Sequence, residues 1–171
     1  MVVVRGLMGS VSLVMSDGAS HTLTAQITRQ WARCIDASAV VAEGFPRIHV
    51  DAAGYTLQGQ VTLQLIAASS GLLMWHAAGI SLNDGRVLGL VGASGMGKST
   101  AVAHLTRRTW GYVTDETLGV DPDGRVWAYP KPLALIRPGA SDKVKPPGVS
   151  GDFEPWEGWS HARRYAQAVP A

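Results

Sequence analysis

The sequence predicts an α/β fold: a phosphate-binding (P-loop) core preceded by a smaller α/β segment. Three observations carry that prediction. The stretch Gly92-Ala93-Ser94-Gly95-Met96-Gly97-Lys98-Ser99-Thr100 fits the pattern G-x-x-x-x-G-K-[ST] at every fixed position. An apolar run at residues 86–91 stands before it and reads as a buried strand, while Ala101, Val102 and Leu105 after it form one helical stripe. Ahead of both, short apolar runs alternate with helix-period segments over the first 70 residues.

Taken in chain order, Val2-Val3-Val4 and Val11-Ser12-Leu13-Val14-Met15 read as strands, with Asp17-Gly18 as a turn. Leu23, Ile27 and Trp31 recur every four residues, which predicts a helix over 23–34. Arg47-Ile48-His49-Val50 is a short strand. Residues 58–70 form a second helix with Val61, Leu65 and Ala68 on one side, stopped by Gly71. Residues 72–76 and 79–82 read as two strands, and Asn83-Asp84-Gly85 joins the second to residues 86–91 as a hairpin, so Asp84 is a turn residue. After the loop and its helix (99–108), Trp110-Gly111-Tyr112-Val113-Thr114 is a strand. Residues 118–120 and 125–127 then enclose Asp121-Pro122-Asp123-Gly124 as another hairpin. The chain divides into an α/β segment at 1–70, a core at 71–137, and a Pro/Gly-rich tail at 138–171 that reads as loosely ordered, with a helix possible at 159–168.

Composition narrows the function classes. Hydrophobic residues make up 46% and charged residues 16%, a globular balance. The formal net charge of +2 with scattered basic residues leaves no electrostatic footprint for nucleic acid. No stretch reaches the roughly 20 apolar residues a membrane span needs. The opening residues do not read as a signal peptide, because Arg5 follows the valines and Gly6, Gly9 and Ser10 interrupt the apolar run. A cytoplasmic protein without a membrane partner is expected. The single Cys34 cannot form an internal disulfide and reads as a small buried residue.

The chemistry centres on residues 92–100. Glycines let backbone N–H groups curl around phosphates, Lys98 brings positive charge to the β- and γ-phosphates, and Ser99 offers a hydroxyl to Mg²⁺. The helix that follows directs its positive dipole end at the anion. ATP and Mg²⁺ are the expected cofactors. Asp115 and Glu116 end the strand at 110–114, where open α/β sheets place their ligands. Asp115 follows Lys98 by 17 residues, room for one helix and one strand. The strand can therefore return beside the first and bring the carboxylates to the loop, to hold metal or activate a nucleophile. A solvated strand end is the plainer reading of that pair. His76 closes an apolar run, where a lone histidine is structural or a site residue. Lys131, in Tyr129-Pro130-Lys131-Pro132, either faces phosphate or is an exposed lysine at a strand end.

His76-Ala77-Ala78-Gly79-Ile80, the loop at 92–99 and Tyr112-Val113-Thr114-Asp115-Glu116 together resemble the kinase domain of HPr kinase/phosphorylase, within the phosphoenolpyruvate carboxykinase-like group of nucleotide binders. Small serine-kinase-like proteins of bacterial peptide-tailoring clusters are also similar. The resemblance covers residues 72–133. It implies a P-loop core of that type, with Asp115 as the base that deprotonates a serine hydroxyl and His76 as the neighbour that keeps it ionised. Lys98 and Ser99 would then bind phosphates, and Ser99, Asp115 and Glu116 would bind Mg²⁺. The implied activity is transfer of the γ-phosphoryl of ATP to a peptide or small protein, with an oligomer as an option. Two departures stand against it. Glu116 replaces the family's second Asp, and no counterpart of the downstream Glu-x-Arg-Gly segment is present. The alternatives are a nucleotide-binding regulatory module without turnover and a truncated, inactive homologue.

Overall fold

Three valines followed by a tight turn begin the fold. The computed structural model describes residues 1–39, 43–51, 55–107 and 110–135. In it β1 (Val2–Gly6) pairs antiparallel with β2 (Gly9–Met15), and β3 (Arg47–Val50) adds parallel to β2. Leu7 in the β1–β2 turn takes a left-handed φ of 53°. That conformation costs a leucine about 1–2 kcal/mol. It is held because the Leu7 N–H donates to Ala128 O at 3.0 Å and the side chain is buried.

Helix α1 (His21–Gln30) starts at Ser20, whose Oγ accepts the Leu23 N–H at 3.1 Å, a cap worth about 1 kcal/mol. Ile27 and Trp31 are buried, as their spacing predicts. The helix stops at Gln30, short of the expected Cys34. Residues 31–35 turn instead, with the Cys34 and Ile35 N–H groups both donating to Trp31 O. The turn leads the chain along the free edge of β1, where Arg5 N–H donates to Cys34 O and Asp36 N–H to Val3 O. Covering an open strand edge outweighs one more helical turn. Helix α2 (Tyr55–Ala68) packs on β2 through Leu57, Val61 and Leu65, completing the first core.

Cys34 lies in that core, 3% exposed, and burial pushes its thiol up to about 12. The thiolate is the reactive form. Reaction with Ellman's reagent at pH 8 is therefore expected to be much slower in the folded protein than in guanidinium chloride. Equal rates would mean that the thiol is not enclosed.

The second sheet is organised by β4 (Leu73–Ser81), one continuous strand where the sequence predicts two. His76 and the small residues after it read as a break. They are small because the strand runs centrally, with Ala77, Ala78, Gly79 and Ile80 all buried. On one edge β4 pairs with β5 (Val87–Val91). On the other it pairs successively with β7 (Thr117–Val120) and β6 (Gly111–Thr114), and β8 (Val126–Trp127) extends the sheet beyond β7. All these pairings are antiparallel, so β5 and β6 run parallel with β4 between them. The strand at 110–114 thus does not return directly beside the strand that enters the loop, as the chain spacing suggested. Two strand spacings, roughly 10 Å, separate them.

The β4–β5 turn is the expected hairpin. Asp84 accepts from the Arg86 backbone and guanidinium, which holds its carboxyl below the usual carboxylate range. Helix α3 (Lys98–Leu105) covers one face of the sheet, where Val102 and Ala103 meet Ala78, Ile80 and Tyr112.

Residues 128–135 stitch the two cores together. Tyr129 is fully buried in the first, its hydroxyl 2.9 Å from Thr62 Oγ1 on α2. Its ring lies where a Cβ on Gly6 would collide, so position 6 must be glycine for the ring to seat. Leu133 and Leu135 join the α3 cluster. The tail expected from 138 onward, with its helix, lies outside the described residues. No helix among the described residues is long and apolar enough to cross a membrane.

Candidate functional site

Strand β5 ends at Val91, and the six residues that follow connect it to α3. The loop turns on a Met96 N–H to Ala93 O bond of 3.3 Å and on two left-handed glycines, Gly95 and Gly97, both at φ 86°. Only glycine adopts that conformation without cost. Gly97 is the N-cap of α3 and brings no capping side chain. The first N–H groups of the helix therefore carry no side-chain cap and form the positive end of its dipole. Ala93, Ser94, Gly95, Met96, Gly97 and Thr100 are exposed, with Gly92, Lys98 and Ser99 partly so. The Lys98 ammonium folds back over the loop, donating to Gly92 O at 2.7 Å and Ala93 O at 3.1 Å. An ammonium held on two carbonyls, next to uncapped helical N–H groups, is a concentration of positive potential open to solvent.

The other expected site residues sit at the same end of the sheet. Val91 pairs with Ala77 of β4, and Thr114 with Gly79, so the C-terminal ends of β5 and β6 flank one stretch of β4. His76 lies just beyond that stretch, opposite Thr117, and is exposed. Alternation along β4 places it on the α3 face with Ala78 and Ile80. Asp115 lies on the same face through Tyr112, whose hydroxyl is 3.0 Å from Asp115 Oδ1. Among the described residues no hydrogen bond links His76 to Asp115.

Asp115 is instead held by Lys131. Lys131 Nζ is 2.9 Å from Asp115 Oδ1 and 3.1 Å from Glu116 Oε2. Side-chain exposures are 1% for Lys131, 3% for Asp115 and 28% for Glu116, so the ion pair is enclosed and only Glu116 reaches water. Asp115 Oδ2 also accepts the Ala134 N–H at 3.3 Å, and Tyr112 OH is 3.1 Å from Lys131 O. Lys131 Nζ has Gln58 Oε1 of α2 and Pro132 O at 3.4 Å. Burial, then the Asp115 charge, pushes the Tyr112 hydroxyl well above its ordinary value, so it stays a donor.

Lys131 is neither the exposed lysine nor the phosphate-facing lysine of the sequence reading. Its two flanking prolines, which restrict the backbone on either side, were the available signal. Tyr112 and Gln58, which complete the cluster, were missed. The spacing of Tyr112, three residues before Asp115, was the only trace of its role. Among the described residues no group of three His, Cys, Asp or Glu side chains is arranged to hold a metal ion. Comparisons with protein-family models, curated proteins and solved structures returned no match.

Proposed function

We propose that this chain binds the phosphates of a nucleoside triphosphate, ATP as the leading candidate, on residues 92–100. One observation carries the reading: a solvent-open glycine loop between β5 and α3 whose Lys98 ammonium lies across it. Phosphate oxygens would replace Gly92 O and Ala93 O as its acceptors and would meet the first N–H groups of α3. A Mg²⁺ ion arriving with the nucleotide would be held by the phosphates and the Ser99 hydroxyl, and would neutralise charge on the phosphate tail. Such a role belongs to a cytoplasmic setting. The test is a titration of the full chain with a fluorescent ATP analogue. Saturable binding, competed by ATP and by inorganic triphosphate, is expected. No binding would end the proposal.

A second reading is phosphoryl transfer to a hydroxyl of a peptide or small protein. It is favoured by the shared direction of β5 and β6, with His76 on β4 just beyond their ends and Asp115 on the α3 face. In this reading Asp115 takes the hydroxyl proton, which requires Lys131 to yield part of its hold. Transfer of label from γ-³²P-ATP to serine-containing peptides is expected to fall at least about 100-fold in Asp115→Asn, the range of general-base contributions. Transfer unaffected by that change would remove Asp115 as the base. Binding without transfer would leave the regulatory-module form of the first reading.

A further inference from the structure

We propose that Lys131 is the built-in cation of the Asp115–Glu116 pair, which holds its ammonium in place of a divalent metal ion. The HPr kinase resemblance puts Mg²⁺ on these carboxylates, and the residues present do not fit that assignment. The ammonium sits between the two, 2.9 Å from Asp115 Oδ1 and 3.1 Å from Glu116 Oε2, where a bridging ion would have to lie. The rest of Asp115 is occupied by the Tyr112 hydroxyl on Oδ1 and the Ala134 N–H on Oδ2. With Gln58 Oε1 and Pro132 O, the three ammonium protons have four acceptors.

Entry of a metal ion would have to expel Lys131. Its side chain is 1% exposed, and its backbone lies between Pro130 and Pro132. Expulsion would leave a buried positive charge with no partner, which is strongly unfavourable. A small hard cation such as Mg²⁺ also needs a near-octahedral oxygen set. With Lys131 in place, Gln58 Oε1 and Pro132 O, the oxygens that could complete such a set beside the two carboxylates, already face its ammonium, and among the described residues no third His, Cys, Asp or Glu joins them. Where the phosphate-loop reading holds, the inference extends it: metal accompanying the nucleotide depends on phosphates and Ser99, not on the acidic pair.

Mn²⁺ is the probe, followed by electron paramagnetic resonance on the full chain without nucleotide. Wild type is expected to show no protein site tighter than about 1 mM, the weak end of oxygen-ligand affinities. Lys131→Met, which removes the charge and keeps most of the bulk, is expected to gain one Mn²⁺ site, lost again in Lys131→Met/Asp115→Asn. Circular dichroism checks that each variant is folded. A folded Lys131→Met that gains no Mn²⁺ site counts against the proposal. A wild-type Mn²⁺ site weakened about tenfold or more by Asp115→Asn overturns it. Should Lys131→Met fail to fold, the wild-type titration decides alone: no site supports the proposal, and an Asp115-dependent site refutes it. The ATP-analogue titration is read separately. Its failure, with no Mn²⁺ site on the free protein, removes the phosphate-loop reading and leaves the built-in cation standing.

Discussion

Lys98→Ala is expected to weaken binding of an ATP analogue about 10- to 100-fold and to leave the fold intact. A hydrogen bond to a charged partner contributes about 1.5–3 kcal/mol, and each 1.4 kcal/mol is tenfold in affinity. In the free loop the ammonium is partly exposed and bonded to two carbonyls, Gly92 O at 2.7 Å and Ala93 O at 3.1 Å. Water can take its place there, so the stability change should stay below about 1 kcal/mol. Fluorescence titration measures the first effect and a thermal melt the second. Lys98→Arg keeps the charge but replaces a compact ammonium with a planar fork, and should fall between wild type and alanine. Equal affinity in wild type and Lys98→Ala would show that nucleotide, if bound, sits elsewhere.

What could be read in advance was what depends on near neighbours in the chain. The loop at 92–100, the start of the helix after it and the Asn83-Asp84-Gly85 turn are local patterns, and each appears within a residue of its expected place, while that helix ends at Leu105, three residues before the expected 108. Strand order is not local. Nothing in residues 110–114 says that they pair with β4 and not β5. That choice follows from Ala77–Ile80 of β4 being buried on both faces, which lets this stretch serve as the centre of the sheet. The end of α1 was misplaced for the same reason, since the free edge of β1 competes for Cys34 and Asp36 from a distant part of the chain. At the candidate site the acidic pair was recognised and its partner was not. The Asp115–Lys131 bond joins residues on either side of the β7–β8 hairpin, and Gln58 enters from α2. Only the packing of residues 128–135 between the two cores brings them together.

The same packing makes Lys131 a residue whose loss should cost the fold heavily. Lys131→Ala leaves Asp115, with a side chain 3% exposed, as a buried carboxylate without its cation. Removing one partner of such a pair destabilises by about 3–5 kcal/mol, and for a protein of this size that lowers Tm by about 6–20 °C. Changing both partners to neutral residues, Lys131→Met with Asp115→Asn, removes the uncompensated charge and should recover much of the loss. A double variant no more stable than Lys131→Ala would mean that packing, not charge, is what Lys131 supplies.

The pH dependence gives an independent reading. Burial alone would lower the Lys131 pKa, but the charges of Asp115 and Glu116 outweigh it and hold it above the ordinary 10.5. Cys34, Tyr112 and Tyr129 are also raised, each chiefly by burial. All four groups keep their protons to higher pH when folded than when unfolded. Their contribution is complete below the unfolded values and is lost as pH rises through the folded ones. Stability of the wild type should therefore decline from about pH 8, where the unfolded thiol begins to ionise, and more steeply through about 10–10.5, where the unfolded tyrosines and lysine titrate. In Lys131→Met the decline above 10.5 should be shallower by about one proton. Denaturant melts at stepped pH measure that slope, and identical slopes in the two proteins would exclude a charged Lys131 from the buried cluster.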